Sequence, residues 1–275
     1  MPVYRELPRD LETPVSIYLK LHGEGIGFLL ESVEHGEQVG RYSFLGFEPG
    51  RTVQVRGRQV TVTGTDTPVR TTLAPDQDPL DAVAAEMAPY QPLAPLHERV
   101  QDLPYFVGGA VGFLGYDIVR GLERMPETTE DDRGLPDLHL MIADTLVAYD
   151  HARKRIVLFA TVQTPPDIDL DAAYDRATAR LDRIEALLEA AVPQQPPAPG
   201  RNGHVTTSRT RQVDYEAAVR KAKAYITAGD IFQVVVSQRL ERPTDAHPFA
   251  IYRALRRVNP SPYMFYLELG GNPAT

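Results

Sequence analysis

The sequence predicts an α+β fold built on antiparallel sheet. Three observations carry that expectation. β-type segments arrive mostly as hairpin pairs, helical segments fall singly between them, and no strand–helix–strand alternation of the kind that builds a parallel sheet is sustained.

The elements follow in order. Thr13-Pro14 opens a short helix to about Leu21, because proline suits a first helical position. Residues 28–33 and 41–47 read as strands, the second with Tyr42, Phe44 and Phe47 as packing residues. Val53-Gln54-Val55 and Val60-Thr61-Val62 alternate in period two around Arg56-Gly57-Arg58, the pattern of a tight hairpin. Pro79 starts a helix to about Met87, with Leu80, Val83, Ala84 and Met87 at core spacing. Residues 106–113 hold three glycines in an apolar run and predict a strand that another backbone approaches closely. Residues 138–149 and 155–162 form a second hairpin pattern. Residues 171–192 form a helix with Tyr174, Ala177, Leu181, Ile184 and Leu188 on one face.

A proline-rich stretch starting at Pro193 lacks periodicity and reads as an exposed linker. Asp214 is then the expected N-cap of a helix ending at Gly229, with a stripe of Tyr215, Ala218, Val219, Ala222 and Ile226. Residues 231–240 read as a strand, 248–257 as a helix and 263–269 as a strand. The domain expectation is 1–192, a linker 193–212, and 213–275 as the start of a second domain. The last strand is apolar and closely followed by the end of the sequence. An open edge of that composition invites aggregation, so the chain is expected to be truncated at its C-terminal side.

Composition narrows the function. The chain has 275 residues and no cysteine, which excludes disulfides, thiolate metal sites and cysteine nucleophiles. A net charge of −8 disfavours a nucleic-acid surface or an acidic membrane. No apolar run reaches the roughly 18 residues of a membrane span, and residues 1–5 lack the apolar core of a signal peptide. The expectation is a cytoplasmic protein with neither nucleic-acid nor membrane partners. The glycines between Gly108 and Gly115 lack the Lys-Ser/Thr or downstream acid of a phosphate loop. The seven histidines are scattered, without metal-ligand spacing.

Five blocks, in order along nearly the whole chain, resemble anthranilate synthase component I, the chorismate-using subunit. They are Leu29-Leu30-Glu31-Ser32, residues 40–46 (Gly-Arg-Tyr-Ser-Phe-Leu-Gly), residues 108–113, residues 229–239 and Asn259-Pro260-Ser261-Pro262-Tyr263-Met264-Phe265. The resemblance implies a two-layer antiparallel β structure with helices on the outside. It also implies a feedback site for tryptophan between the first and last blocks, carried here by Ser32, Pro262, Tyr263 and Met264. In that site Glu31 is placed to meet the ligand's ammonium and Arg41 its carboxylate, and Met264 offers a polarizable wall to an indole.

The implied reaction converts chorismate and ammonia to anthranilate and pyruvate. Ammonia comes from glutamine through an amidotransferase subunit, and Mg²⁺ holds chorismate. The metal ligands and the main catalytic residues of the family lie in a later half, so none is expected in this chain, and the isolated chain is expected to be inactive. Gln233 is a candidate chorismate-pocket residue. Related isochorismate and salicylate synthases place a lysine base there, and a neutral amide cannot titrate as one. Two other readings stand beside this one: aminodeoxychorismate synthase component I, and a non-catalytic tryptophan-binding regulatory module.

Overall fold

Two strands change sheets together, and this corner organises the first half of the chain. The computed structural model describes residues 1–22, 25–31, 40–64, 67–90, 102–126, 128–163, 165, 167–194 and 205–270. Among these residues, one antiparallel sheet runs in the order β1 (Pro2–Pro8), β10 (Arg155–Thr161), β9 (Thr145–Asp150), β3 (Tyr42–Phe47), β2 (Gly27–Glu31) and β13 (Met264–Glu268). A second runs β6 (Val69–Thr72), β5 (Gln59–Thr63), β4 (Arg51–Arg56), β8 (Leu138–Ala143) and β7 (Gly109–Leu114).

β3 pairs with β9 in the first sheet, and their continuations β4 and β8 pair in the second. The register is Leu45 opposite Val147 before the corner and Arg51 opposite Ile142 after it. One extra residue therefore sits on the β3–β4 side, a bulge of the kind that lets a strand turn from one sheet into another. Glu48 takes up a φ of 45° there. On the facing side the turn falls at Asp144. The single strand expected over residues 138–149 is thus two strands in two sheets. An apolar run cannot reveal this, because it stays buried on both sides of the bend.

The sheets pack face to face. Phe28, Leu146, Ala148, Val157 and Phe159 from the first meet Val111, Met141 and Ala143 from the second. The far face of the second sheet buries Val53, Val55, Val60, Leu138, Leu140 and Ile142, with Ala82, Val83 and Met87 of helix α2 (Pro79–Met87) against them. The far face of the first is covered by α1 (Pro14–Leu21) and α3 (Leu170–Leu188). This is the expected two-layer β structure with helices outside.

Local chemistry sets the helix ends. Thr13 and Ser16 form a reciprocal capping box ahead of Pro14, and Asp78 and Asp81 do the same for α2. The Asp169 carboxylate accepts from the amides of Asp171 and Ala172 at 3.1 Å each. α3 buries Ala173, Ala177, Leu181, Ile184 and Leu188, and each large aliphatic among them stabilises the fold by roughly 1.5–3 kcal/mol. Two stripes shift from expectation: Tyr174 is exposed and Ala173 takes its place, while Leu80 and Ala84 of α2 face outward.

Contacts divide the chain into one unit of residues 1–194 with 255–275, and another of 195–254. This differs from the sequence boundaries because β13 pairs with β2 and so takes residues 264–268 into the first unit. Within the second unit, α4 (Gln212–Ala228) buries no residue fully. Its N-cap position is taken by Arg211, without a side-chain cap hydrogen bond, so Asp214 is not the N-cap; the Arg211 guanidinium pairs with Asp214 at 2.7 Å. Gly229 closes the helix at a φ of 82°, as expected. The strand expected over residues 231–240 is not formed. A strand needs a partner for its backbone groups, and among the described residues only Leu240–Glu241 (β12) finds one, in Thr207–Ser208 (β11). Much of the expected linker, residues 195–204, lies outside the described residues.

Two predictions follow from the packing between the sheets. A Cβ on Gly112 would sit 2.0 Å from the His139 carbonyl oxygen, so Gly112→Ala destabilises the chain by about 1–3 kcal/mol in urea unfolding; Gly25→Ala, with open space around it, is near neutral. Burial pushes the His139 imidazole below its ordinary pKa. The unfolded chain then gains a proton that the folded chain resists, so stability is complete above about pH 6.5 and falls as the pH drops below it. His139→Leu flattens that slope between pH 7 and 5 in thermal melts, and an unchanged slope contradicts the assignment.

Candidate functional site: the β2–β13 edge

The first and last resemblance blocks meet as neighbouring antiparallel strands. Met264 stands opposite Glu31, Phe265 opposite Leu30 and Tyr266 opposite Leu29. Side chains alternate along a strand, so Glu31, Leu29, Met264, Tyr266 and Glu268 share the face toward α1, while Phe28, Leu30 and Leu267 turn to the core between the sheets. Met264 is buried, and Tyr263 and Phe265 are exposed on either side of it. Pro262 is half-buried at the entry to the strand. Ser32 lies outside the described residues.

Glu31 is a carboxylate whose side chain is only 1% exposed. A buried carboxylate needs a compensating cation, and Arg256 supplies it, donating from one terminal nitrogen to Oε1 at 2.9 Å. Arg256 comes from the last turn of α5 (Pro248–Val258), just ahead of the 259–265 block. Its Nε is buried and without a hydrogen-bond partner. Sequence reasoning did not single out Arg256. As one of two adjacent arginines at a helix end it reads as a solvated terminus, and only the fold brings it to Glu31.

Arg41 is held elsewhere. Its Nε and a terminal nitrogen donate to the two oxygens of Asp150 at 3.3 and 3.0 Å, and its guanidinium lies 4.9 Å from the Tyr42 ring centre. Asp150 is fully buried and also accepts from the amides of Ala152 and Arg153 at 3.1 and 3.2 Å. Burial alone would raise its pKa. The Arg41 hydrogen bonds, the Arg153 and Ala152 amides and the Arg41 charge outweigh burial and hold it below the usual carboxylate range.

Nearby, the Ser43 hydroxyl lies 2.8 Å from His151 Nε2. Burial, then the positive charges of Lys154 and Arg256, push that imidazole down. At the far end of β13, Glu268 gathers His22 at 2.9 Å, Tyr266 at 3.2 Å and Tyr18 at 3.4 Å. Burial raises both tyrosine hydroxyls, Tyr18 most. β13 is thereby tied at both ends, to Arg256 and Glu31 through its opposite strand and to α1 through Glu268.

Gln233 is exposed, in the irregular segment of the second unit. Among the described residues no group of three or more His, Asp or Glu side chains could hold a metal ion. No described helix is long and apolar enough to cross a membrane. Two hollows of about 220 and 340 Å³ lie at the sheet corner, sharing Gly50, Asp144 and Arg180 as walls, away from β13. The chemistry offered at the β2–β13 edge is recognition: an anion and a cation side by side, next to a thioether.

Residues 28–274 match the family described as chorismate binding enzyme. Among similar curated proteins, anthranilate synthase component 1 of Thermus thermophilus is 43% identical over 98% of this chain and 54% of its own length. The chloroplastic anthranilate synthase alpha subunit 1 of Arabidopsis thaliana is 38% identical over 98% of this chain and 48% of its own. The solved anthranilate synthase component I of Streptococcus pneumoniae shares the fold at a TM-score of 0.61 and 24% identity, covering 94% of this chain and 53% of that one. The chain spans about half the length of these relatives, and it belongs to the chorismate binding enzyme family.

Proposed function

We propose that this chain is the tryptophan-responsive part of an anthranilate synthase component I. The whole enzyme would convert chorismate and ammonia to anthranilate and pyruvate, taking ammonia from glutamine through an amidotransferase subunit and holding chorismate with Mg²⁺. The observation that carries the reading is the pairing of β2 with β13, which sets Met264 directly across from Glu31. Two segments that the family resemblance assigns to one ligand thus lie edge to edge, and the relatives carrying the anthranilate synthase name cover nearly the whole chain.

The site's parts suit tryptophan. Glu31 provides a buried negative charge for an ammonium, and Met264 an apolar, polarizable surface for an indole. Gln233 is kept as the candidate chorismate contact in the second unit.

Calorimetric titration of the chain with L-tryptophan is expected to give saturable binding at one site, and Ser32→Phe to abolish it with an unaltered far-UV spectrum. Absence of binding by the unaltered chain, or unchanged affinity in Ser32→Phe, contradicts the reading.

A further inference from the structure

Two guanidiniums are candidates for the ligand's carboxylate, and their surroundings separate their duties. Arg41 spends two donors on Asp150, a carboxylate with no exposure of its own. Drawing Arg41 toward a ligand would leave that buried charge with two backbone amides and Arg155 at 3.6 Å, and would remove its two charge-assisted hydrogen bonds. Arg256 is in the opposite position. One terminal nitrogen serves Glu31, while its Nε is buried and lacks an acceptor. Buried donors are almost always satisfied in folded proteins, so an orphan beside a ligand site marks where an acceptor is missing.

The same two side chains suit a particular head group. An α-amino acid carries an ammonium and a carboxylate on one carbon. Laid against a carboxylate–guanidinium pair, it matches charge for charge and adds no net charge to a buried site. A ligand with only the ammonium, or only the carboxylate, brings a charge that the interior must accommodate unpaired.

Resting on the tryptophan reading above, we propose that Arg256, rather than Arg41, binds the ligand's carboxylate, and that the Glu31–Arg256 pair selects a zwitterionic α-amino acid. Glu31 takes the ammonium and the Arg256 guanidinium takes the carboxylate through its unused Nε–H. The indole then runs along Met264, which faces Glu31 across the two strands.

The test is calorimetry on the full 275-residue chain with L-tryptophan, tryptamine and indole-3-propionate. The unaltered chain binds tryptophan at least about tenfold more tightly than either analogue, the scale of one charge-assisted hydrogen bond. Arg256→Gln loses about tenfold or more in tryptophan affinity and no longer prefers tryptophan to tryptamine. Arg41→Gln keeps that preference. Because Arg256→Gln leaves Glu31 without its cation, the neutral pair Glu31→Gln with Arg256→Gln serves as the second variant; it is expected to melt as one transition and to bind tryptophan and tryptamine alike. If the unaltered chain binds tryptophan but either Arg256 variant still favours it over tryptamine, Arg256 is not the carboxylate partner, and the site reading stands without it. If the unaltered chain binds no tryptophan, the site reading fails and this assignment with it.

Discussion

The pairing of β2 with β13 is the constraint on which the functional half of the structure depends. It joins segments 225 residues apart at the Glu31–Arg256 contact, so its loop-closure entropy must be met by contacts made only in the closed state. Those contacts sit at the two ends of the strand. At one end a buried carboxylate is neutralised by Arg256. At the other, Glu268 collects Tyr18 of α1, His22 just after that helix, and Tyr266 of β13 itself. Both clusters lie on the same face of the sheet, under α1. The core face contributes only apolar contacts, which fix depth but not register. A slip of one residue would turn Glu31 or Glu268 into the apolar interior between the sheets, so the charges specify the alignment that the hydrophobic residues alone would leave ambiguous.

The frame that holds this edge is a bent ribbon. β3 and β4 run against β9 and β8 through both sheets, and a one-residue bulge lets the pair turn the corner at Glu48–Gly50 and Asp144. A Cβ on Gly50 would lie 2.9 Å from the Asp144 carboxylate, so the corner is closely packed at that point. Arg180 of α3 meets the same carboxylate at 3.1 Å. Helix, corner and both sheets are tied at one point, and β2 is then added beside β3 with its register already set.

Much of this was legible in the residues. The starts of α1 and α2 at Pro14 and Pro79, the hairpin at Gly57 and the close approach at Gly112 each follow from local chemistry that no distant contact overrides. The corner at Asp144 was not legible, because buried residues on both sides of a bend give one unbroken apolar run. The segment 231–240 shows the reverse limit: strand composition without a partner stays irregular. Charged partners were the hardest to read. Arg41 was expected to meet the ligand's carboxylate and is committed to Asp150, while Arg256, which the sequence did not single out, neutralises Glu31. A pattern of residue types places a charge on an element, but which opposite charge it meets is decided by folding at long range.

The chain has no cysteine, so a cross-strand disulfide reports the β2–β13 register without background. Leu30→Cys with Phe265→Cys places two thiols at directly opposed positions. Mild oxidation should close this pair rapidly, whereas Leu30→Cys with Tyr266→Cys, displaced by one residue onto opposite faces, should stay reduced. Rapid closure of the displaced pair, or none in the opposed pair, would contradict the alignment that brings Met264 to Glu31.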